Sequence, residues 1–287
     1  MKKQSLTKEF FVNFNNTINL FFYNFFAKKV NKLNKESIDI EKDIKNKTNK
    51  ENVAIAVNNL YMSYTKKGNP TIKNCTFNIH EGDFHIFIGQ NGAGKSTIIR
   101  MLIGLNDDFS GQILISGVDS KEKNARESMI FVPDKPIFPS EFTTFDYLFL
   151  SCNEDIRKNK ELLTIKIDEY LKEFDILEVR DKNPNFLSSG QKQKVLIIKI
   201  LINKPKIIIL DEPTSNLDSI TRIQFLNKLK ELSKNEEVTI FISTHILDEI
   251  KKYATAATFI DKGEIKWNGK IKNEDILEIH NKIYNIK

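Results

Sequence analysis

The chain of 287 residues has only two cysteines, Cys75 and Cys152, and a single tryptophan. Two thiols so far apart offer neither a disulfide framework nor a metal-ligand spacing, which excludes a stapled scaffold and points to a reducing compartment. No small-residue cleavage site follows the early apolar run, which argues against a secretory signal. Internal repeats and long heptad runs are missing as well, which argues against a solenoid or a coiled coil. Surplus positive charge is missing from most of the chain. Residues 1–52 hold 11 Lys against 6 acidic residues, and so carry +5 of the formal net charge of +6. A nucleic-acid enzyme more often carries its basic charge on the folded domain, so no nucleic-acid partner is expected.

What is there begins with that N-terminal arm. From Phe10 to Ala27 the chain has no charge for 18 residues, and a polar run rich in Lys, Asn and Asp follows up to Asn52. As a helix this stretch is about 27 Å long, close to the roughly 30 Å of a hydrocarbon core. Asn13, Asn15, Asn16, Thr17, Asn19 and Asn24 would all need partners in lipid, so it is not read as a span. Phe11, Phe14, Ile18, Phe21 and Phe25 share one helical face, followed by Lys28, Lys29, Lys32 and Lys35. Residues 1–52 therefore read as an amphipathic helix and a solvated linker. An anionic membrane surface, an apolar protein surface and disorder all remain compatible with it.

From Val53 strands and helices alternate. "DFHIFIG", "KIIIL" and "VTIFIST" are short apolar runs suited to buried strands, and "KSTIIRMLIGL" and "RIQFLNKLKELSK" have helical spacing. The expected fold class is α/β, a sheet with crossover helices into which a helical segment is inserted. The spacing of Phe142, Phe145, Leu148 and Phe149 places helix in the insertion, about residues 135–190. Residues 53–272 form the main domain in this reading, and 273–287 a C-terminal helical tail.

Two stretches carry chemistry directly. "GQNGAGKST" comprises Gly89, Gln90, Asn91, Gly92, Ala93, Gly94, Lys95, Ser96 and Thr97, between a strand and a helix. Gly89, Gly92 and Gly94 are expected to supply positive φ and close backbone approach, so that loop amides and the helix N-terminus cradle phosphate. Lys95 can reach the outer phosphates, and the Ser96 hydroxyl can ligate Mg2+. In "KIIILDEP", Asp211 and Glu212 emerge at the C-terminal end of a buried strand, the edge where open α/β sheets bind ligands. Asp211 can hold the metal, and Glu212 can polarise the water that attacks a γ-phosphorus. "LSSGQKQKV" places Ser188, Ser189, Gly190 and Gln191 at another helix start, which taken alone could be simply a cap.

"GQNGAGKST", "LSSGQ", "IIILDEPTSNLD" and "ISTH", in that order, resemble the ATP-binding subunits of ABC transporters over roughly residues 53–270. The resemblance implies an α/β fold with a P-loop NTPase core sheet, an antiparallel β subdomain and an inserted helical subdomain. The resemblance implies that Ser188, Ser189, Gly190 and Gln191 close on ATP held by a second ATP-binding subunit, with Ser189 in place of the usual glycine. It implies that Ser215 to Asp218 belong to the loop through which two sites communicate. His245 would contact the γ-phosphate and Tyr64 would stack on adenine. Asp134, between Pro133 and Pro136, stands where the family has a Mg2+-sensing glutamine, and being shorter it is expected to reach the metal through water. The expected catalytic groups are thus Glu212, His245 and Lys95, the metal groups Ser96, Asp134 and Asp211, and the cofactors ATP and Mg2+. The expected protein is a dimeric ATPase at the cytoplasmic face of the membrane, energising a separate transmembrane permease, with "PDKPIFPSEFTTFDYL" favouring export. The rival is a soluble ABC ATPase of translation or DNA maintenance. Translation members usually carry two such domains, and DNA-maintenance members separate the motifs by a long coiled coil.

Overall fold

The computed structural model describes residues 52–65, 69–122, 124–215, 217–235, 237–271 and 276–284. The arm with its apolar face (Phe11 to Phe25) and lysines (Lys28 to Lys35) lies outside the described residues. In chain order, β1 (Val53–Met62), β2 (Ile72–His80) and β3 (Phe84–Ile88) lead into α1 (Lys95–Leu102). Next come β4 (Ser110–Ile115), β5 (Val118–Asp119) and β6 (Met129–Val132). The helical part holds α2 (Thr144–Leu150), α3 (Glu154–Arg157), α4 (Lys160–Glu173) and α5 (Ser189–Asn203). Then follow β7 (Ile207–Asp211), α6 (Ser219–Asn235), β8 (Thr239–Thr244) and α7 (Leu247–Ile250). β9 (Ala256–Asp261), β10 (Glu264–Lys270) and α8 (Ile276–Tyr284) complete the described elements.

These strands make two sheets, in the orders β2-β1-β4-β5 and β10-β9-β3-β8-β7-β6. The first is antiparallel throughout. In the second, β9, β3, β8, β7 and β6 run parallel, and β10 is antiparallel to β9. The expected α/β class is the one observed. β3 and β8 are buried at every position, because side chains alternate between two covered faces. Phe84, Ile86 and Ile88 face a core shared with α5 and the other helices. Phe87 turns the other way, between Phe77 and Phe241, at ring distances of 5.8 and 5.2 Å. That face packs on the antiparallel sheet and α1.

One detail of the helical part differs from the sequence expectation. The periodic stripe counted Phe142 as helical, yet α2 starts at Thr144. Thr143 and Asp146 close a reciprocal capping box, which satisfies the first orphan N–H groups and fixes the helix start there. Phe142 is still buried, as a residue ahead of the cap. Burial pushes the Cys75 and Cys152 thiols up to about 11, so neither is a reactive thiolate at neutral pH.

His85 is the unusual core residue. It lies fully buried in β3, with Nε2 2.7 Å from Thr258 Oγ1 and no partner for Nδ1 among the described residues. Burial first, and the nearby His80 second, lower its pKa from 6.5 to about 3. Folding therefore holds His85 neutral over a range in which the unfolded chain takes up a proton. Its contribution is intact above pH 6.5 and is lost as pH falls from there toward 3. We expect about 2 kcal/mol of stability to be lost on this account between pH 7 and pH 5. Denaturant melts should show a flatter slope over that interval for His85→Gln; an equal slope would remove His85 from the acid response.

Candidate functional site

The glycine-rich loop leaves the C-terminal end of β3 and enters α1. Gly92 (φ 82°) and Gly94 (φ 110°) adopt the left-handed backbone that the sequence leads one to expect. Gly89 does not, and its requirement is different. A Cβ there would lie 2.6 Å from the Ile260 carbonyl oxygen and 2.8 Å from its Cγ2, so β9 leaves room only for glycine. The loop turn is closed by the Ala93 N–H donating to the Gln90 carbonyl at 3.1 Å. Gln90, Asn91, Gly92 and Ser96 are exposed, whereas Lys95 is only 5% exposed.

The Lys95 ammonium donates to the Gly89 carbonyl at 2.7 Å and lies 3.3 Å from Glu212 Oε1. The other carboxylate oxygen of Glu212 is 3.0 Å from His245 Nδ1. Lys95, Glu212 and His245, far apart in sequence, are thus joined through one carboxylate. The parallel register explains the meeting. Ile88 of β3 pairs with Thr244 of β8, and Ser243 of β8 pairs with Asp211 of β7, so three strand ends are level. Tyr64 is half exposed, with its hydroxyl 3.3 Å from Thr97 Oγ1 at the same loop.

Ser243 is a functional residue that sequence reasoning passed over. Its buried hydroxyl donates to Asp211 Oδ1 at 2.6 Å and accepts from the Glu212 N–H at 2.9 Å. It holds both acids at once. The signal was present in the chain: a serine beside the apolar centre of a doubly covered strand must find polar partners. Glu212 itself has φ 44°, a left-handed backbone that costs a non-glycine residue roughly 1–2 kcal/mol. Backbone outliers of this kind cluster at functional sites.

Other predicted residues lie apart from this group. Ser188 and Gln191 form the capping box of α5, and Gln191 Nε2 donates to Glu178 at 3.2 Å. Ser189 and Gly190 open the helix. Among the described residues, no hydrogen bond or ion pair joins Ser188–Gln191 to the glycine-rich loop. Asp218 starts α6: it accepts from the N–H groups of Ile220 and Thr221 and from the Thr221 hydroxyl, and these bonds, the Thr221 N–H first, lower its pKa. Asp134 accepts a 2.6 Å hydrogen bond from the Ser215 hydroxyl, a partner not foreseen from sequence. A cavity of about 220 Å³ adjoins the loop, lined by Gln90, Asn91 and His245 and, unforeseen, by His280 and Tyr284 of α8. Tyr284 donates to the Ile260 carbonyl at 3.0 Å, and burial raises its phenol to about 12.

A divalent metal fits this donor set in one way. Among the described residues no group of three or more His, Cys, Asp or Glu could hold a metal ion on its own. Ser96 and Asp211 supply hard oxygen donors, which suits a Mg2+ that arrives with a polyphosphate and completes its shell with phosphate and water.

Comparison with known proteins identifies the family. The profile of the family described as ABC transporter matches residues 72–215. An ABC transporter ATP-binding protein of Mycoplasma pneumoniae is 40% identical over 205 residues, 71% of this chain and 63% of its own length. The methionine import ATP-binding protein MetN of Lactococcus lactis is 34% identical over 74% of this chain and 64% of its length. The energy-coupling factor transporter ATP-binding protein EcfA1 of Ligilactobacillus salivarius is 33% identical, over 78% of this chain and 82% of its length. The chain thus spans a little under two thirds of the first two of these relatives. Among solved structures, an ATP-binding subunit of an ABC transporter matches with TM-score 0.70 and 26% identity, covering 80% of this chain and 99% of that one. CbiO1 of Clostridium perfringens, part of the ABC transporter complex CbiONQ, matches with TM-score 0.66 and 26% identity over 82% and 92%.

The two bonds of Ser243 have a measurable consequence. Ser243→Ala strands a buried N–H and part of a carboxylate, so it should cost about 1–3 kcal/mol in denaturant unfolding. A cost below a few tenths would show that Ser243 does not hold the acids.

Proposed function

The chain belongs to the ABC transporter family of ATP-binding domains, and from that premise we propose that it hydrolyses Mg-ATP to energise a transmembrane permease carried on another polypeptide. The observation that carries this reading is the Lys95–Glu212–His245 group at one sheet edge, level with the glycine-rich loop. The loop amides and the start of α1 hold the polyphosphate, and Lys95 gives up its contact with Glu212 to neutralise phosphate oxygens. Glu212, freed at Oε1 and still held by His245 at Oε2, orients the attacking water and takes its proton. Mg2+, when bound, would be held by Ser96 and Asp211, with Asp134 as an outer partner, and would offset charge on the phosphate oxygens. Tyr64 lies at the loop where the adenine is expected.

In this reading Ser188, Ser189, Gly190 and Gln191, which among the described residues make no bond to their own glycine-rich loop, meet ATP on a second subunit of a dimer, as the dimeric structure of a related ATP-binding cassette supports. Among the described residues no helix is long and apolar enough to cross a membrane; the proposed peripheral place at the cytoplasmic face is supported by relatives named as transporter ATP-binding proteins. The relatives are named as transporter ATP-binding proteins, which favours transport over translation or DNA maintenance. The exporter subclass expected from the sequence finds no support in them, since one is named for methionine import. Direction and substrate are assigned to the permease.

We place a docking surface for that partner on the helical part. Ile137 and Phe186 are 89% and 88% exposed. Their two loops are joined by Asn185 Nδ2 donating to the Phe138 carbonyl at 2.9 Å and Asn183 Nδ2 to the Ser140 carbonyl at 2.6 Å. An apolar pair on a braced platform suits docking of a partner helix.

Glu212→Gln should bind Mg-ATP with near-normal affinity but turn over at least a hundredfold more slowly, whereas Lys95→Ala should lose affinity itself. Near-normal phosphate release by Glu212→Gln would end its assignment as the base. For the platform, the double change Ile137→Asp with Phe186→Asp should leave ATP binding intact and abolish co-purification with the permease. Undiminished co-purification would place the contact elsewhere.

A further inference from the structure

Gln193 lies in α5, two residues past Gln191, and its side chain turns inward, leaving it only 8% exposed. Its amide Nε2 donates to the Pro213 carbonyl at 2.6 Å. Its Oε1 is buried and has no hydrogen-bond partner among the described residues. A buried amide that leaves its acceptor unused is kept against a desolvation cost, so its donor is the working half.

Pro213 directly follows Glu212, the residue with φ 44°. Two side-chain hydrogen bonds flank that strained position. Ser243 Oγ accepts from the Glu212 N–H on one side, and Gln193 holds the next carbonyl on the other. A proline at the following position narrows the backbone choices of Glu212 further. The carboxylate therefore points toward Lys95 and His245 from a backbone fixed at both ends. One of those fixtures stands on the helix that begins with Ser188–Gln191.

We infer that Gln193 is a positioning residue for Glu212, coupling the helix behind Ser188–Gln191 to the hydrolytic carboxylate. The inference rests on the reading of Glu212 as the base. Any shift of α5 relative to β7 pulls on the Pro213 carbonyl and so on the backbone that aims Glu212. Contact of Ser188–Gln191 with nucleotide would thereby reach the acid of the same chain.

The test is a double-mutant cycle in the full-length protein between Gln193→Met, which keeps the shape without the donor, and Glu212→Gln. Gln193→Met should lower kcat about tenfold to a hundredfold while ATP affinity and KM stay within twofold. In the Glu212→Gln background the same change should have no further effect on residual turnover, because there is no longer a base to aim. A purely structural role would lower binding along with kcat, or act equally in both backgrounds, and either result overturns the inference. Unchanged kcat in Gln193→Met, with Glu212→Gln inactive, overturns it alone and leaves the base assignment standing. Normal turnover in Glu212→Gln removes both. Should Gln193→Met fail to fold, Gln193→Asn, which withdraws the same amide by one methylene, is read by the same criteria.

Discussion

The parallel register of β3, β8 and β7 is the constraint on which the site hangs. With Ile88 opposite Thr244 and Ser243 opposite Asp211, three strands end at one level. Each then releases a different kind of group: a loop of amides, a pair of acids, a histidine. A slip of one residue in any pairing would turn Ser243 to the opposite face and separate it from Asp211. The apolar alternation prevents that slip, because Phe87 and Phe241 must stay packed in one layer while Ile86 and Ile242 stay in the other. Core packing thus sets the geometry of the chemistry.

Within that frame the electrostatics are arranged around a buried cation. Lys95 is almost wholly shielded from water, so its charge has to be met by protein groups. The Gly89 carbonyl and the Glu212 carboxylate meet it. In the proposed reaction a polyphosphate entering the loop would replace one anionic partner by another, and that exchange would free Glu212 for water. On that proposal the residue that neutralises Lys95 here is also the one that substrate would release.

The loop from Glu212 to Asp218 is where several parts of the chain converge. Gln193 of α5 holds Pro213, Asp134 accepts from Ser215, and Asp218 starts α6. Asp134 follows β6 and leads toward the helical part, so its bond to Ser215 joins that part to the loop after the acids. A carboxylate accepts a hydroxyl proton readily and at short range, which gives the acid at position 134 a use independent of any metal.

The phosphate loop, the acid pair and the start of α5 were legible in the sequence because their chemistry needs contiguous backbone. A cradle of successive amides has to be one continuous segment, and a strand that ends in two acids has to read as an apolar run followed by them. The α/β class was legible for a similar reason, since doubly covered strands leave short, largely apolar runs. Contacts between distant segments were not. That Gly89 is required by Ile260 rather than by its own φ, that Glu212 bridges Lys95 and His245, and that His280 and Tyr284 line the cavity beside the loop were decided only in three dimensions. Hydrogen bonds and steric gaps depend on which strands and helices lie side by side, and at what register. That choice is made by packing the whole core, not by any local run of residues.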